Sequence, residues 1–136
     1  MTRVLLVVAA LALALTGCKS ESESVMSDMV AKQKEFLNIL KSVKDKDSAV
    51  AAKAKLTELG KELDALTTKM SKLKIEASEQ EKLAAKYKPE VEQIQKDLFA
   101  EMSRISQIPG AADQIFDGLS GTPNFGGLGH RRAFGN

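Results

Sequence analysis

The sequence predicts an all-α fold: a three-helix antiparallel bundle, or a helical hairpin whose third arm folds back, with coiled-coil-like heptads and a disordered Gly-rich carboxyl-terminal tail. Apolar residues in the stretch 25–108 recur at alternating spacings of three and four, which is the heptad pattern of packed helices. Between residues 23 and 108 the chain holds only Gly60 and Pro89 as helix breakers. Two short interruptions divide this region into predicted helices at about 23–43, 49–73 and 78–108, and short connections make neighbouring helices antiparallel.

The first predicted helix carries a heptad seam with one polar member, Gln33. Further apolar residues flank the seam and widen the apolar stripe, which suits a helix that touches two neighbours. A charged turn follows, and either Asp47 or Ser48 is predicted to cap the next helix. The seam comprises Met26, Met29, Gln33, Phe36, Leu40 and Val43.

The second predicted helix has the most regular pattern, because its seam contains no exception. The third begins at a predicted capping box formed by Ser78 and Glu81. Pro89 lies on the outward face of the third helix and predicts a bend, with a split into two helices as the alternative. Glu101 occupies a seam position there, and we expect Glu101 and Gln33 to form hydrogen bonds across the bundle. The apolar seams are Ala49, Ala52, Leu56, Leu59, Leu63, Leu66, Met70 and Leu73, then Ala84, Tyr87, Val91, Ile94, Leu98, Ile105 and Ile108.

The composition changes after Ile108, where Pro109 and Gly110 are expected to end the third helix. Seven of the nine glycines lie between residues 110 and 136. Residues 111–119 can form a short amphipathic turn of helix. We nevertheless expect the segment 109–136 to be a flexible tail, because it offers too little apolar surface to offset its chain entropy.

A degenerate Phe-x-Gly-Leu repeat runs through this tail, with a spacing of nine residues. Such a repeat can dock weakly and repeatedly on a groove of a partner protein. Ordinary Gly- and Phe-biased low complexity is the alternative explanation. The candidate partner-binding residues are therefore Phe116, Leu119, Phe125, Leu128 and Phe134.

The amino terminus has the organisation of an export signal. A single basic residue, Arg3, precedes twelve apolar residues at 4–15, which is too short for a comfortable membrane-spanning helix and typical of a signal peptide. The tetrad Leu15-Thr16-Gly17-Cys18 follows and contains the only cysteine. This tetrad resembles the lipobox of bacterial lipoproteins.

The resemblance implies that residues 1–17 are cleaved and that Cys18 receives a diacylglycerol and often an amino-terminal acyl chain such as palmitate. Residues 18–24 then form the lipidated cysteine and a flexible tether, although a frayed helix start is equally compatible with them. Lys19 favours outer-membrane sorting over inner-membrane retention. There are three alternatives. An ordinary signal peptidase can cleave at Ala12-Leu13-Ala14 and release a soluble exported protein, the apolar run can remain uncleaved as a marginal membrane anchor, or Cys18 can be incidental.

Composition excludes several classes of function. Twenty basic residues against eighteen acidic ones give a net charge of +2, which is too small for a nucleic-acid-binding surface. One His and one Cys cannot form a zinc site or a disulfide framework. His130 lies in the predicted tail, where nothing would hold it as a general base. We therefore predict no catalytic, cofactor-binding or metal-binding residue.

These observations predict a non-enzymatic, lipid-anchored helical protein of the bacterial envelope. We expect it to face the periplasm from the outer membrane, through the acyl chains on Cys18, and to bind another envelope protein or act as a structural element. A membrane-tethered holdase chaperone is one alternative, and an enzyme with a carboxylate-bound metal is another. A homo-oligomer is compatible with the regular seam of the second helix.

Overall fold

The computed structural model describes residues 20–119, and these residues form four helices and no strand. The predicted all-α bundle is confirmed, and the first three helices lie within three residues of their expected bounds. A fourth helix follows them. The predicted signal peptide at 1–17, Cys18 and residues 120–136 lie outside the described residues. The helices are α1 (Glu21–Ser42), α2 (Lys46–Lys72), α3 (Ala77–Ser106) and α4 (Ala111–Leu119).

Helix α1 begins within the segment that was expected to be a tether. The Ser20 hydroxyl caps it by accepting a hydrogen bond from the backbone N–H of Glu23 at 3.2 Å. Ser22, in the first turn, is only 5% exposed. Residues 21–24 therefore belong to the folded bundle and do not form a flexible spacer.

Helix α2 is capped by Asp45 and not by Asp47 or Ser48. Asp45 Oδ1 accepts from the Ser48 backbone N–H at 2.8 Å, and Ser48 Oγ accepts from the Asp45 N–H at 2.9 Å. This is a reciprocal capping box, in which Ser48 occupies the third helical position. The hydrogen bonds from the Ser48 side chain and backbone lower the pKa of Asp45 below its ordinary value.

The predicted capping box of α3 does not form. This helix begins at Ala77, so Ser78 already lies within its first turn, and the preceding residue, Glu76, makes no side-chain capping hydrogen bond. The helix then continues without interruption past Pro89, which is exposed. The prediction of one helix through this proline is confirmed.

Helix α1 lies between α2 and α3, antiparallel to α2 and parallel to α3. Although only residues 73–76 join α2 to α3, no Cα atoms of these two helices lie within 8 Å of each other along their described lengths. Helices α2 and α3 are antiparallel to each other, as expected, but they are not close neighbours, because the wide stripe of α1 contacts both. Four ion pairs show the directions: Lys32–Glu62 at 2.6 Å and Lys69–Glu21 at 3.2 Å to α2, and Lys86–Glu23 at 2.5 Å and Lys41–Asp97 at 4.0 Å to α3.

Helix α4 fills the space between α2 and α3 at one end of the bundle. The chain turns back after α3 through Gly110, whose φ of +73° lies in the left-handed region that favours glycine. Helix α4 packs mainly against α2 and also against α3. Residues 111–119 were assigned to the flexible tail, and this assignment is corrected. Three of their apolar side chains are almost completely buried: Ala111, Ile115 and Leu119.

The core divides into two clusters of buried side chains. The larger one joins all four helices and includes Phe36, Leu40, Leu56, Ile105 and Ile115. The smaller one joins only α1 and α3, and consists of Val30, Leu83, Tyr87 and Ile94. The carboxyl-terminal part of the α2 seam is half-buried, at Leu66, Met70 and Leu73. The bundle is therefore most tightly closed at the end that contains α4.

Candidate interaction surface

The amino-terminal end of the bundle is held by polar contacts between α1 and α3. The Ser22 hydroxyl donates a hydrogen bond to Glu79, and the Ser20 and Ser22 hydroxyls lie 2.8 Å apart. Hydrogen bonds from Ser20 and Ser22 lower the pKa of Glu79. Cys18 is only two residues before Ser20, a distance of at most about 7 Å in extended chain. Any group attached at Cys18 is thus held close to this end of the bundle.

The predicted partner-binding residues fall into two groups. Leu119 is 3% exposed and belongs to the larger core cluster, so it is a packing residue. Phe116 is half-buried on the same short helix. The expectation that Leu119 contacts a partner protein is therefore wrong for the folded bundle, because its side chain is not accessible. Phe125, Leu128 and Phe134 lie outside the described residues.

The end of α4 contacts α2 through its backbone. Thr57 Oγ1 donates to the Gly118 carbonyl oxygen at 3.0 Å, and Lys53 forms an ion pair with Asp117. A β-carbon at position 118 would lie only 2.9 Å from Lys53 Cγ, so glycine permits the close approach. The first Phe-x-Gly-Leu unit is therefore docked on the bundle itself.

Phe99 is the largest exposed apolar side chain among the described residues, at 79% exposure. It points away from the core on α3, one residue after the seam residue Leu98. Val50, on α2, is the other large hydrophobic residue that is exposed, at 51%. An aromatic side chain on a polar helix face is a typical anchor of a protein–protein interface. Sequence reasoning missed Phe99, although its position off the heptad seam already predicted an outward direction.

A shallow groove between α1 and α2 has a volume of about 410 Å³. Three of its charged side chains pair with one another, since Lys32 contacts Glu62 at 2.6 Å and Glu35 at 3.4 Å. The hydrogen bond to Glu62 is the main cause of the raised pKa of Lys32. These paired charges indicate a solvated helix face. The lining residues are Lys32, Glu35, Ile39, Lys55, Glu58, Leu59 and Glu62.

The two polar seam residues behave differently from each other. Glu101 accepts a hydrogen bond from Arg104 Nε at 2.7 Å, and Arg104 crosses to α1. Glu101 thus contributes to the register of the bundle through Arg104. The Gln33 side-chain oxygen Oε1 is buried and has no hydrogen-bond partner. The expected hydrogen bond across the bundle is absent at that oxygen.

Residues 20–119 contain no group of three or more His, Cys, Asp or Glu side chains arranged to hold a metal ion. None of the helices in this range combines the length and apolar content that spanning a bilayer requires.

Comparison with known proteins provides no relative from which a role could be transferred. No protein-family model matches the chain, and neither a curated protein nor a solved structure matches it.

Proposed function

We propose that this chain is a lipid-anchored, non-enzymatic protein of the bacterial envelope that binds another envelope protein through the outward face of α3. The observation that carries the binding role is the exposure of Phe99. The lipobox-like tetrad ending at Cys18 supports the anchor. The outer membrane is the proposed location, with the bundle in the periplasm.

The anchor and the proposed binding residue lie at opposite ends of the bundle. Helix α3 begins beside the anchored end, where Glu79 accepts from Ser22. Phe99 follows Glu79 by twenty residues, which corresponds to about 30 Å along a helix. A bundle attached by its end would therefore present Phe99 well away from the membrane surface, within reach of a second envelope protein.

Phe99 has the energetic properties of an interface anchor. Leaving a Phe side chain in water forgoes about 2 kcal/mol of burial free energy, which a partner recovers by covering it. Its neighbours one turn away on α3 are the exposed Gln95 and Ser103 and the half-buried Met102. An aromatic centre inside a polar rim is the arrangement of interface hot spots.

Radiolabelled palmitate tests the anchor in living cells. We expect the wild-type chain to incorporate the label and to fractionate with membranes, and Cys18→Ala to do neither. Lys19→Ala keeps the cysteine and is the matched control. Label in Cys18→Ala, or an unlabelled wild-type chain, would contradict the anchor.

A photo-crosslinking amino acid at position 99 tests the partner. The full chain carrying p-benzoylphenylalanine in place of Phe99 should yield an adduct of one defined mass, identified by mass spectrometry. The control site is Glu92, which is exposed on the same face of α3 two turns away. Equal adduct yields from positions 99 and 92 would overturn the proposed interface.

The holdase interpretation requires broad accessible apolar surface. Among the described residues, the exposed large hydrophobic side chains are Phe99 and Val50, on different helices. Recognition of one partner by one aromatic anchor fits this surface better than capture of unfolded chains. Suppression of client aggregation by the purified protein, undiminished in Phe99→Ala, would instead favour the holdase.

A further inference from the structure

One end of the bundle is formed by the connection between α2 and α3 together with the first turn of α1. Lys69, in the last turn of α2, forms an ion pair with Glu21 at 3.2 Å. Ser22 donates a hydrogen bond to Glu79, in the first turn of α3. We call residues 72–76 of the connection the tip. The tip therefore lies at the same end of the bundle as the amino terminus of α1.

The tip carries two apolar side chains that are not part of the core. Leu73 and Ile75 are half-buried, and neither belongs to a core cluster or to the partly buried hydrophobic residues packed against the two clusters. The connections at the opposite end of the bundle behave differently. Their residue Val43 is completely buried in the larger cluster, and Ile108 packs against that cluster.

The composition of the tip is unusual for a connection between helices. Such connections favour Gly, Pro, Asn, Asp and Ser, which fit turn conformations or form hydrogen bonds with the backbone. The tip has the sequence Lys-Leu-Lys-Ile-Glu and contains none of these residues. Its two apolar side chains leave surface in water that contact with a second apolar phase would cover.

Exposed lysines alternate with these apolar residues. Lys72 and Lys74 are exposed, and neither forms an ion pair with another described residue. Glu76 is the only acidic residue of the tip, so two lysines and one glutamate give it a formal charge of +1. The methylene stem of a lysine covers apolar surface while its ammonium group reaches a phosphate. This combination suits the boundary between lipid headgroups and acyl chains.

The position of the proposed lipid anchor brings a membrane close to the tip. Cys18 precedes Ser20 by two residues, which is at most about 7 Å of extended chain. The Ser20 hydroxyl lies 2.8 Å from the Ser22 hydroxyl, which itself contacts Glu79 of α3. Acyl chains on Cys18 would therefore hold this end of the bundle next to the headgroup layer.

We propose that the tip rests on the membrane surface, where Leu73 and Ile75 insert among the lipid headgroups. Lys72 and Lys74 bind the phosphates of anionic phospholipids. This proposal rests on the proposed lipid anchor and is independent of the interface on α3.

A membrane contact at the tip also orients the bundle. A protein held only by acyl chains can tilt freely, whereas a second attachment at the same end restricts the tilt. Helix α3 begins at the tip and contains 30 residues, which corresponds to about 45 Å. The contact thus gives the exposed Phe99 a fixed direction, away from the lipid surface.

Tryptophan fluorescence on vesicles tests the contact, because the chain contains no tryptophan. The full chain carrying Ile75→Trp is purified with its lipid and reconstituted into vesicles of equal parts phosphatidylglycerol and phosphatidylcholine. Bromine atoms on the phospholipid acyl chains quench an indole only at close range. We expect brominated vesicles to at least halve the fluorescence of Ile75→Trp and to leave that of the control Phe99→Trp unchanged.

Leu73→Trp provides a second probe at the tip, and circular dichroism checks that each variant is folded. Equal quenching at the tip and at position 99 would mean that the bundle lies flat on the membrane, which would overturn the proposal. Absence of quenching at both tip positions would overturn it as well.

Charge reversal tests the lysines in the same assay. Lys72→Glu combined with Lys74→Glu should remove most of the quenching of Ile75→Trp. The matched control combines Lys55→Glu with Lys61→Glu, at exposed positions of α2 outside the tip, and should retain the quenching. An equal loss in the two double variants would refute the phosphate contact.

The mass of the purified chain separates failure of the tip contact from failure of the anchor. A chain whose Cys18 carries no lipid overturns the anchor, and this proposal with it. A lipidated chain without quenching at the tip overturns the tip contact alone and leaves the anchor standing.

Discussion

Arg104 Nη1 donates a hydrogen bond to the Val43 carbonyl oxygen at 2.8 Å, so a side chain of α3 closes the carboxyl end of α1. Arg104 Nη2 reaches the Leu40 carbonyl oxygen at 3.0 Å, and Glu101 holds the guanidinium from behind. These carbonyls are the acceptors that a helix end leaves without intrahelical donors, and a cation there also favours the helix dipole. The contact keeps α3 in register with α1.

Replacing Arg104 with Ala should lower the free energy of unfolding by about 1–2 kcal/mol, because two charge-assisted hydrogen bonds at a partly exposed site are lost. Arg104→Lys keeps the positive charge but cannot donate both hydrogen bonds in the same geometry. Its free energy of unfolding should therefore lie between those of the wild type and Arg104→Ala. Urea denaturation followed by circular dichroism measures this. Lys96→Ala, exposed on the same helix, is the control, and an equal effect of both substitutions to Ala would remove the special role of Arg104.

Ile115→Ala should destabilise the whole bundle by about 3 kcal/mol, because a fully buried side chain is replaced by a cavity. Ile115 has 0% exposure in the cluster that joins all four helices. The exposed neighbour Asp113 provides the control variant Asp113→Ala. A single urea transition shifted to lower concentration is the expected result. A wild-type midpoint would mean that α4 does not contribute to the core.

Stability should decrease as the solution becomes acidic, because the pKa values of Asp45 and Glu79 are lowered from 3.8 and 4.5. A carboxylate with a lowered folded-state pKa contributes stability above its unfolded pKa and loses it as the pH falls through the folded pKa. Glu79→Gln should therefore be less stable than wild type at neutral pH and approach it below the folded pKa of Glu79.

Urea midpoints measured from neutral pH down to about pH 2 test this linkage. Asp45→Asn should behave in the same way as Glu79→Gln, since its carboxylate is stabilised by Ser48. Glu81→Gln, at an exposed position of α3 close to Glu79, controls for the loss of one acidic charge. Variant and wild-type curves that stay parallel over the whole range would refute the proposed contribution.

Pro89→Ala should stabilise the protein by about 1–2 kcal/mol. Proline inside a helix costs about 3 kcal/mol relative to alanine, and the greater freedom of the unfolded alanine chain offsets part of this gain. Pro89 is exposed within an uninterrupted α3. Thermal unfolding of Pro89→Ala and of the neighbouring control Lys88→Ala measures the difference. A loss of stability in Pro89→Ala would show that the proline shapes α3 for packing on α1.

Heptad spacing predicted where the three long helices lie, but not which of them touch. The seam of α2 is regular from Ala49 to Leu63, and all five of its seam residues in this range are buried. The same pattern does not predict that α1 packs against both α2 and α3, because an apolar stripe identifies a buried face and not the helix that covers it. The wide apolar stripe of α1 was the one feature of the sequence which indicated that α1 contacts two neighbouring helices.

The functional residues were less accessible to sequence reasoning. Leu119 was grouped with Phe125 as a partner-binding residue because both belong to one repeat, yet Leu119 is a core residue. Phe99 was overlooked because it belongs to no motif. A sequence motif identifies residues that recur along the chain. Whether such a residue is exposed depends on the helices that pack around it.

The sequence by itself determined the helical class, the positions of α1, α2 and α3, and the end of α3 before Pro109 and Gly110. These follow from periodicity and breakers, which act over neighbouring residues. Only the tertiary structure decided that α4 is part of the core and that Arg104 caps α1. A nine-residue helix is marginal on its own and forms because α2 and α3 bury its apolar side. A cap donated by a residue more than sixty positions away leaves no local pattern in the chain.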